Sequence, residues 1–225
     1  MSSTKQIPWP RVIAEGAVIV VSILLAFGID AWWEGRQERA EEGRYITALL
    51  DEAYGAADEL EMDRQTRDGR LAALDSLQVY FASGRGRPDA FTSWVNESSS
   101  LANFFPPTAA YDDLVSSGGL QLLRSDELRL ALMSYHQERP RLQFLEERER
   151  IMIDDDLRPY LLRNFPLDVE AAPASAISRL AGDQEFRSLI EVRRRRLTTT
   201  IYYQDQLAES LARLTEILAR QANPN

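Results

Sequence analysis

The sequence predicts an all-α protein, in which one N-terminal transmembrane helix continues into a stalk and an extramembrane antiparallel helical bundle. Three observations support this fold class. Val12 to Trp33 form an apolar stretch of 22 residues. The rest of the chain repeats apolar residues at helical spacing, and no alternating strand pattern of useful length occurs. About 190 residues follow the apolar stretch, which is enough for one domain with a proper core.

The apolar stretch has the length of a membrane span. As a helix, residues 12–33 would be about 33 Å long, and the hydrocarbon layer of a bilayer is about 30 Å thick. The uncharged centre lies between Glu15 and Asp30. We therefore expect residues 12–33 to cross a lipid bilayer after a short tail, residues 1–11. A secretory signal peptide is the alternative, but such peptides have a shorter apolar run and a small-residue cleavage site.

Tryptophans at the two ends of the stretch predict interfacial anchors. Trp9 precedes the stretch, and Trp32 and Trp33 end it, where the apolar ring and the polar indole N–H suit the membrane boundary. Lys5 and Arg11 come before the stretch, whereas the basic residues after it are mixed with glutamates. This charge pattern favours an N terminus in the cytoplasm and a large periplasmic domain.

One face of the predicted span is more polar than the others. Glu15, Ser22, Ala26 and Asp30 lie within an arc of about 100° on a helix. In one interpretation, the two acids reach the lipid headgroups. In the other, the face contacts another membrane protein, because small residues four apart allow close helix approach and intramembrane charges usually face protein. Such a partner would be a larger complex or a second copy of the chain.

The composition excludes several classes of function. With 35 acidic and 26 basic residues, the chain has a net charge of −9, which argues against binding to nucleic acid or broad adsorption to anionic lipid. The chain has no cysteine and therefore no disulfide, thiolate nucleophile or zinc–thiolate site. No motif in the sequence predicts a cofactor.

Breakers and capping residues divide the extramembrane domain, residues 34–225, into helices. Pro140 is expected to kink or divide one helix, and Pro166 to Ser178 to form a loop. Thr108, Ser125 and Asp183 are expected to cap the helices that follow them. The predicted helices are 34–83, 89–104, 108–117, 125–139, 141–165 and 183–221.

Two charged stretches have more than one interpretation. Glu61 to Arg70 are almost entirely polar, so this part of the first extramembrane helix is expected to be exposed or bent. Arg193, Arg194, Arg195 and Arg196 would wrap the whole circumference of a helix. They either pair with the glutamates of 146–149 and 34–42, or contact lipid phosphate or an acidic partner.

No residue pattern predicts catalysis, so we expect a protein that is not an enzyme. His136 is the only histidine, and no motif supplies the nucleophile or acid that a catalytic base needs. Its position near a predicted helix end suggests an interaction with the helix dipole. Asp154, Asp155 and Asp156 point about 100° apart on a helix, which favours a solvated face over convergence on one metal ion.

Several motifs resemble a family of uncharacterised bacterial single-span membrane proteins. Trp33-Glu34 is followed by a mixed-charge helix and by Tyr45-Ile-x-x-Leu49. Ala110 to Arg129, which contains Ser116-Ser-Gly-Gly119, continues to Tyr135 and carries the stronger match. The resemblance covers most of the chain and implies a membrane-anchored helical domain in the bacterial inner membrane. It implies no activity, cofactor or catalytic residue.

These observations lead to two functional hypotheses. The first is a non-catalytic scaffold or accessory subunit that docks onto a larger membrane protein complex. The second is a sensor or signalling ectodomain that binds a ligand between its helices and acts through a partner protein. A tightly filled bundle interior would favour the first hypothesis.

Overall fold

The computed structural model describes residues 9–84, 88–167 and 171–223, and within the first helix it describes side chains from Val20 onward. These ranges are helical and contain no strand, so the predicted all-α class is confirmed. The α-helices are α1 (Trp9–Ser83), α2 (Pro88–Ser98), α3 (Ala109–Ser116), α4 (Asp126–Ile151), α5 (Arg158–Asn164), α6 (Ala174–Gly182) and α7 (Gln184–Ala222). A 3-10 turn, Gly119–Gln121, follows α3, and a π-helical segment, Met152–Leu157, joins α4 to α5.

Three long helices form the body of the molecule. Helix α7 packs against both α1 and α4 and runs antiparallel to each of them. The direction follows from the residue pairs along the helices, which are Arg64 with Asp205, Asp75 with Arg194, Glu127 with Arg220 and Glu149 with Arg193. The shorter elements between α1 and α4, and those between α4 and α7, complete the body.

The inward face of α1 follows a spacing of three and four residues in alternation. The buried positions are Ile46, Leu49, Ala53, Ala56 and Leu60, then Asp63, Arg67 and Arg70, then Leu74 and Leu77. This heptad spacing keeps one seam of the helix facing its neighbours over nine turns or so. The seam is apolar at both ends and polar in the middle.

The polar part of this seam separates two hydrophobic cores. One core lies nearer the N-terminal end of α1. It contains Ile46 to Leu60 of α1, apolar residues of α4 and α7, and the side chains of Phe104 and Leu114. The distal core contains Leu74 and Leu77 of α1 with apolar residues of α2, α5, α6 and the start of α7. Because both cores bury large side chains almost completely, the body has packed interiors on either side of a polar layer.

The helix boundaries differ from the predicted ones at three places. The predicted helix 89–104 ends already at Ser98, because the carbonyl groups that follow accept hydrogen bonds from arginine side chains and not from helix N–H groups. Helix α4 continues through Pro140, which lies on its exposed face, where the missing N–H and the ring are accommodated at the cost of one backbone hydrogen bond. His136 is therefore in the middle of α4 and not near a helix end. Part of the expected loop 166–178 belongs to α6, because Ala176, Ile177 and Leu180 have apolar neighbours to pack against.

Helix α1 is continuous from Trp9 to Ser83, with 75 residues. Within the part of the chain that the structure describes, no helix is both long enough and apolar enough to cross a membrane. The predicted span, residues 12–33, is therefore not supported within that part of the chain. The side chains of Val12 to Ile19, the first part of this span, lie outside the described residues.

Candidate functional site

The N-terminal part of α1 projects from the body as a bare apolar helix. Every residue from Val20 to Glu34 is exposed, and the first buried residue of α1 is Ile46. We call Val20 to Trp33 the projecting segment. Its large apolar side chains are between 49% and 67% exposed, namely Val20, Val21, Ile23, Leu24, Leu25, Phe27, Ile29, Trp32 and Trp33. The segment is therefore apolar over most of its circumference, apart from the face with Ser22 and Asp30, and it does not pack against the described body.

The residues predicted to contact a membrane partner lie on this segment where they are described. Ser22, Ala26 and Asp30 are exposed and follow one another at four-residue spacing on one face of α1. Glu15, the fourth member of the predicted face, lies outside the described side chains. A shallow depression is centred on Gly28, on a more apolar face of the helix, and its other lining residues are Val21, Leu24, Leu25, Ile29 and Trp32.

The predicted interfacial tryptophans end the projecting segment. The ring centroids of Trp32 and Trp33 are 6.5 Å apart, with the planes tilted by 51°. The guanidinium carbon of Arg36 lies 5.8 Å from the Trp32 ring centroid, a cation–π arrangement. A charged group thus lies beside the aromatic pair at the end nearer the body. Trp9, the predicted anchor at the other end, lies outside the described side chains.

Polar contacts near Tyr45 join α1 to the rest of the body, at the point where the buried part of the helix begins. The Tyr45 hydroxyl donates to Asp113 Oδ2 at 2.9 Å and lies 3.4 Å from Ser117 Oγ. Glu42 Oε1 accepts a hydrogen bond from the Arg124 backbone N–H at 2.7 Å. These contacts therefore join the two stretches that carry the family resemblance, the Tyr45 region and the Ser-Ser-Gly region.

Glu52 of α1 performs the capping role that the sequence assigned to Thr108. Its two carboxylate oxygens accept from the N–H groups of Ala110, at 2.5 Å, and Tyr111, at 3.3 Å, in the first turn of α3. Thr108 instead donates its hydroxyl to Asp112. The cap is tertiary, because the acceptor comes from a helix that is distant in sequence.

Replacing Glu52 with alanine is expected to lower the free energy of unfolding by about 1–2 kcal/mol, since two backbone donors of α3 would lose their acceptor. Urea denaturation of the full chain in mild detergent, followed by circular dichroism, measures this change. Asp51→Ala is the control, because Asp51 is exposed on the same helix. Equal effects of the two substitutions would contradict the assignment.

The polar layer between the two cores is made of paired charges. It consists of Asp63, Arg67 and Arg70 of α1, Glu146 and Glu149 of α4, and Arg193, Thr200 and Gln204 of α7, all of them buried. The three carboxylates and three guanidinium groups balance in formal charge. Arg67 Nε donates to Asp63 at 2.8 Å and Arg67 Nη2 to Glu146, while Arg193 Nη1 donates to Glu149 at 2.5 Å.

Arginines also satisfy the backbone of the irregular segment 98–102, which lies beside the polar layer. All five carbonyl oxygens of this segment accept a guanidinium hydrogen bond. The pairs are Ser98 and Ser100 with Arg193, Ser99 with Arg158, Leu101 with Arg70, and Ala102 with Arg67. The backbone N–H and C=O groups of a buried segment outside helices and sheets need hydrogen-bond partners from side chains or water. Buried arginines of α1 and α7, together with the exposed Arg158 of α5, thus connect three helices to this segment.

The electrostatics of Glu146 differ from those of an exposed glutamate. Burial raises the pKa of Glu146 to about 7, and the nearby Asp63 and Glu149 carboxylates act in the same direction. The Arg67 guanidinium and the backbone N–H of Phe104, 3.2 Å from Glu146, lower the pKa but do not offset the burial. Glu146 is therefore a buried carboxyl that titrates near neutral pH.

The four consecutive arginines are all engaged within the body. Arg193 is 1% exposed and belongs to the polar layer, so a headgroup or surface partner does not reach it. Arg194 pairs with Asp75 at 2.6 Å, Arg195 pairs with Glu191 at 2.5 Å, and Arg196 donates to a backbone carbonyl of α4. The predicted pairing with residues 146–149 thus occurs at Glu149. The glutamates of 34–42 lie far along α1 from this cluster.

The arginine cluster is also distant from the projecting segment. Arg194 contacts Asp75, which follows Trp33 by 42 residues on the same continuous helix. At about 1.5 Å per residue, this separation is about 63 Å along the axis of α1. Arg194 to Arg196 are therefore too far away to touch the headgroups at Trp33 if α1 stands upright in a bilayer.

The two other candidate chemical groups have local structural partners. His136 stacks on the Tyr111 ring, and burial, together with the Arg139 charge, lowers its pKa to about 4, so the imidazole is neutral at physiological pH. Asp154 pairs with Arg150 at 3.2 Å and with Arg158. Neither group forms part of a catalytic arrangement.

Comparison of the chain with protein-family models, with curated proteins and with solved structures gives no significant match. The resemblance to bacterial single-span membrane proteins is not tested by these comparisons and stays a prediction. The site residues that the sequence did not indicate are the inward-facing charges of α1, namely Asp63, Arg67 and Arg70. Their signal is the heptad spacing, which continues through Asp63, Arg67 and Arg70 although the residues are charged.

Proposed function

We propose that the protein is a non-catalytic helical scaffold that is anchored in a membrane by α1 and docks as an accessory subunit onto a larger membrane protein complex. The observation that supports this proposal is the exposure of the projecting segment, Val20 to Trp33. In water, its nine large apolar side chains would remain solvated at a cost on the order of 10 kcal/mol relative to burial. An apolar environment removes this cost.

The distribution of the apolar side chains favours lipid as that environment. A helix that is apolar over most of its circumference requires apolar surroundings on most sides, whereas a docked partner covers one face. The sequence before Val20 is also apolar back to Val12, apart from Glu15, and α1 already begins at Trp9. Residues 12–33 would then form a span of about 33 Å. We place the body in the periplasm of a bacterial cell, following the basic residues Lys5 and Arg11.

Flotation of the full chain with lipid vesicles tests the anchor. We expect the wild-type protein to float with the vesicles and to stay with them after alkaline washing. In the double variant Leu24→Arg/Phe27→Arg, the bound fraction should fall at least about tenfold, because each charge near the centre of a span costs about 2.5–3.5 kcal/mol.

The control is Met62→Arg/Val79→Arg, which changes two exposed apolar residues of the same helix within the body. Its flotation should equal that of the wild type. A wild-type protein that stays in the aqueous fraction would overturn the anchor, and so would a cellular form from which the first thirty residues or so have been cleaved.

Docking onto a larger complex requires a separate measurement. After gentle detergent extraction from native membranes, size analysis should place the protein in an assembly with other membrane proteins. A monomer with no co-purifying protein would contradict the accessory-subunit role. It would leave the anchor itself intact.

The alternative function, a ligand-binding sensor, needs space between the helices. Between the helices of the described body, the depression beside Tyr135, His136 and Leu214 has a volume of about 10 Å³, and the larger depressions, of about 170 to 260 Å³, open to the surface. The side chains of both cores are almost fully buried. This packing supports the scaffold over the sensor.

A further inference from the structure

A basic groove runs along the outer surface of the body between α4 and α7, on the far side from the projecting segment. Its volume is about 210 Å³. The residues that line it are Leu145, Arg148, Arg195, Arg196, Thr199 and Thr200. The position of the groove between two antiparallel helices leaves room for a third helix to lie along them.

Three arginines in and beside this groove have no carboxylate partner among the described residues. Arg141 stacks on Tyr203, with its guanidinium carbon 4.0 Å from the ring centroid. Arg148 lies 5.8 Å from the Phe144 ring centroid. Arg196 donates to the Arg148 backbone carbonyl at 2.7 Å. In a chain with a net charge of −9, this local excess of positive charge is unusual.

The carboxylates beside Arg148 and Arg196 pair with other arginines, whereas Glu138, one turn before Arg141 on α4, has no hydrogen-bond partner for Oε2 within the described part of the chain. Glu191 pairs with Arg195, Glu147 pairs with Arg150, and Glu149 is buried with Arg193 in the polar layer. None of these pairs neutralises Arg141, Arg148 or Arg196. An acidic group of a partner would therefore complement the positive charges of Arg148 and Arg196.

Apolar side chains accompany the cations on the rim of the groove. Phe144 is 60% exposed, and Ile151 and Tyr202 are exposed as well. Phe144, Arg148 and Ile151 lie on one face of α4, and Arg141 is two turns before Arg148. Exposed aromatic and arginine side chains are the types that contribute most to protein interfaces.

We propose that this groove docks an acidic amphipathic helix of a partner protein. The inference rests on the proposed scaffold function and names the chemistry of the partner. Arg141 and Arg148 are about 10.5 Å apart along α4, so carboxylates seven residues apart on a partner helix meet both guanidinium groups. Apolar residues between these carboxylates then cover Phe144 and Leu145. Lipid is not the occupant, because the groove lies at the level of Arg64 to Arg67, about 50 Å along α1 from Trp33.

Peptide binding to the full chain in detergent tests the inference. The probe is a labelled synthetic amphipathic helix of about 15 residues with leucines on one face and flanking glutamates. We expect binding of the peptide to weaken with added salt. In Arg141→Glu/Arg148→Glu, the affinity should fall at least about tenfold, since both arginines are exposed and reversal of their charge repels the peptide. A peptide with lysine in place of glutamate should not bind.

The matched control is Arg163→Glu/Arg213→Glu, which makes the same change in net charge at exposed arginines outside the groove. The affinity of this control variant for the peptide should stay within about twofold of the wild-type affinity. Equal weakening in both double variants, or full displacement of the peptide by inorganic phosphate, would overturn the proposal. So would a concentration-dependent dimer that only the groove variant abolishes, because the groove would then be an interface between copies. Peptide binding and vesicle flotation are independent, so failure of one does not imply failure of the other.

Discussion

Replacing Arg193 with alanine is expected to lower the free energy of unfolding by about 3–5 kcal/mol, the range for removal of one partner from a buried ion pair. The substitution would leave Glu149 buried without its guanidinium partner, which is 2.5 Å away in the native protein. It would also remove the donors to the carbonyl oxygens of Ser98 and Ser100. The loss therefore combines a buried charge with two unsatisfied backbone groups.

The adjacent Arg195 provides the control for this prediction. It pairs with Glu191 at a similar distance, but its side chain is 76% exposed. Arg195→Ala should change the free energy of unfolding by less than about 1 kcal/mol, as for other surface ion pairs. Urea denaturation of the full chain in mild detergent, followed by circular dichroism, compares the two variants. Equal stability losses would show that burial of Arg193 does not determine its contribution.

The second large expected effect is a pH dependence of the free energy of unfolding, which originates at Glu146. In the unfolded chain its pKa is the ordinary 4.5, and in the folded protein it is about 7. Between these values the folded state holds a proton that the unfolded state releases. The contribution of Glu146 to stability is therefore complete below about pH 4.5 and is lost as the pH rises through 7.

Glu146→Gln should remove this dependence, because glutamine stays neutral and can still accept hydrogen bonds from Arg67 and Phe104. Relative to the wild type, the variant should gain on the order of 3 kcal/mol in unfolding free energy between pH 4.5 and pH 8, since each pH unit corresponds to about 1.4 kcal/mol. Urea denaturation at a series of pH values measures the difference between the two proteins.

Glu147→Gln is the control for the pH series. Glu147 is the sequence neighbour of Glu146, but it is exposed and pairs with Arg150. That hydrogen bond lowers its pKa, so any effect of the control would have the opposite sign. A difference between wild type and Glu146→Gln that is constant with pH would contradict the raised pKa of Glu146.

The apolar periodicity of the chain predicts most of the helices and much of the core. Ser125 accepts the backbone N–H of Leu128, and Asp183 accepts those of Glu185 and Phe186, so both predicted N-caps are confirmed. Caps of this kind are local, because the acceptor and the donors lie within one turn. Thr108 fails as a cap for the opposite reason, since Glu52 of a distant helix takes its place.

The polar layer illustrates why the site was harder to predict. The charged stretch Glu61 to Arg70 suggested an exposed or bent helix, yet Asp63, Arg67 and Arg70 occupy inward positions of an unbroken heptad seam. Periodicity places these residues on the inner face. Only the counter-charges supplied by Glu146 and Glu149, together with the carbonyl groups of 98–102, make their burial stable.

By itself, the sequence determined that the described chain is helical, where two of its caps lie and which apolar residues face inward, because these properties depend on neighbours within a few turns. Tertiary structure decided the rest. It placed Arg193 in the interior and Arg195 in solvent, kept α4 continuous through Pro140, and left Val20 to Trp33 without contacts to the body. The physical reason is that the free energy of burying a charge or exposing an apolar helix depends on groups that are distant in sequence.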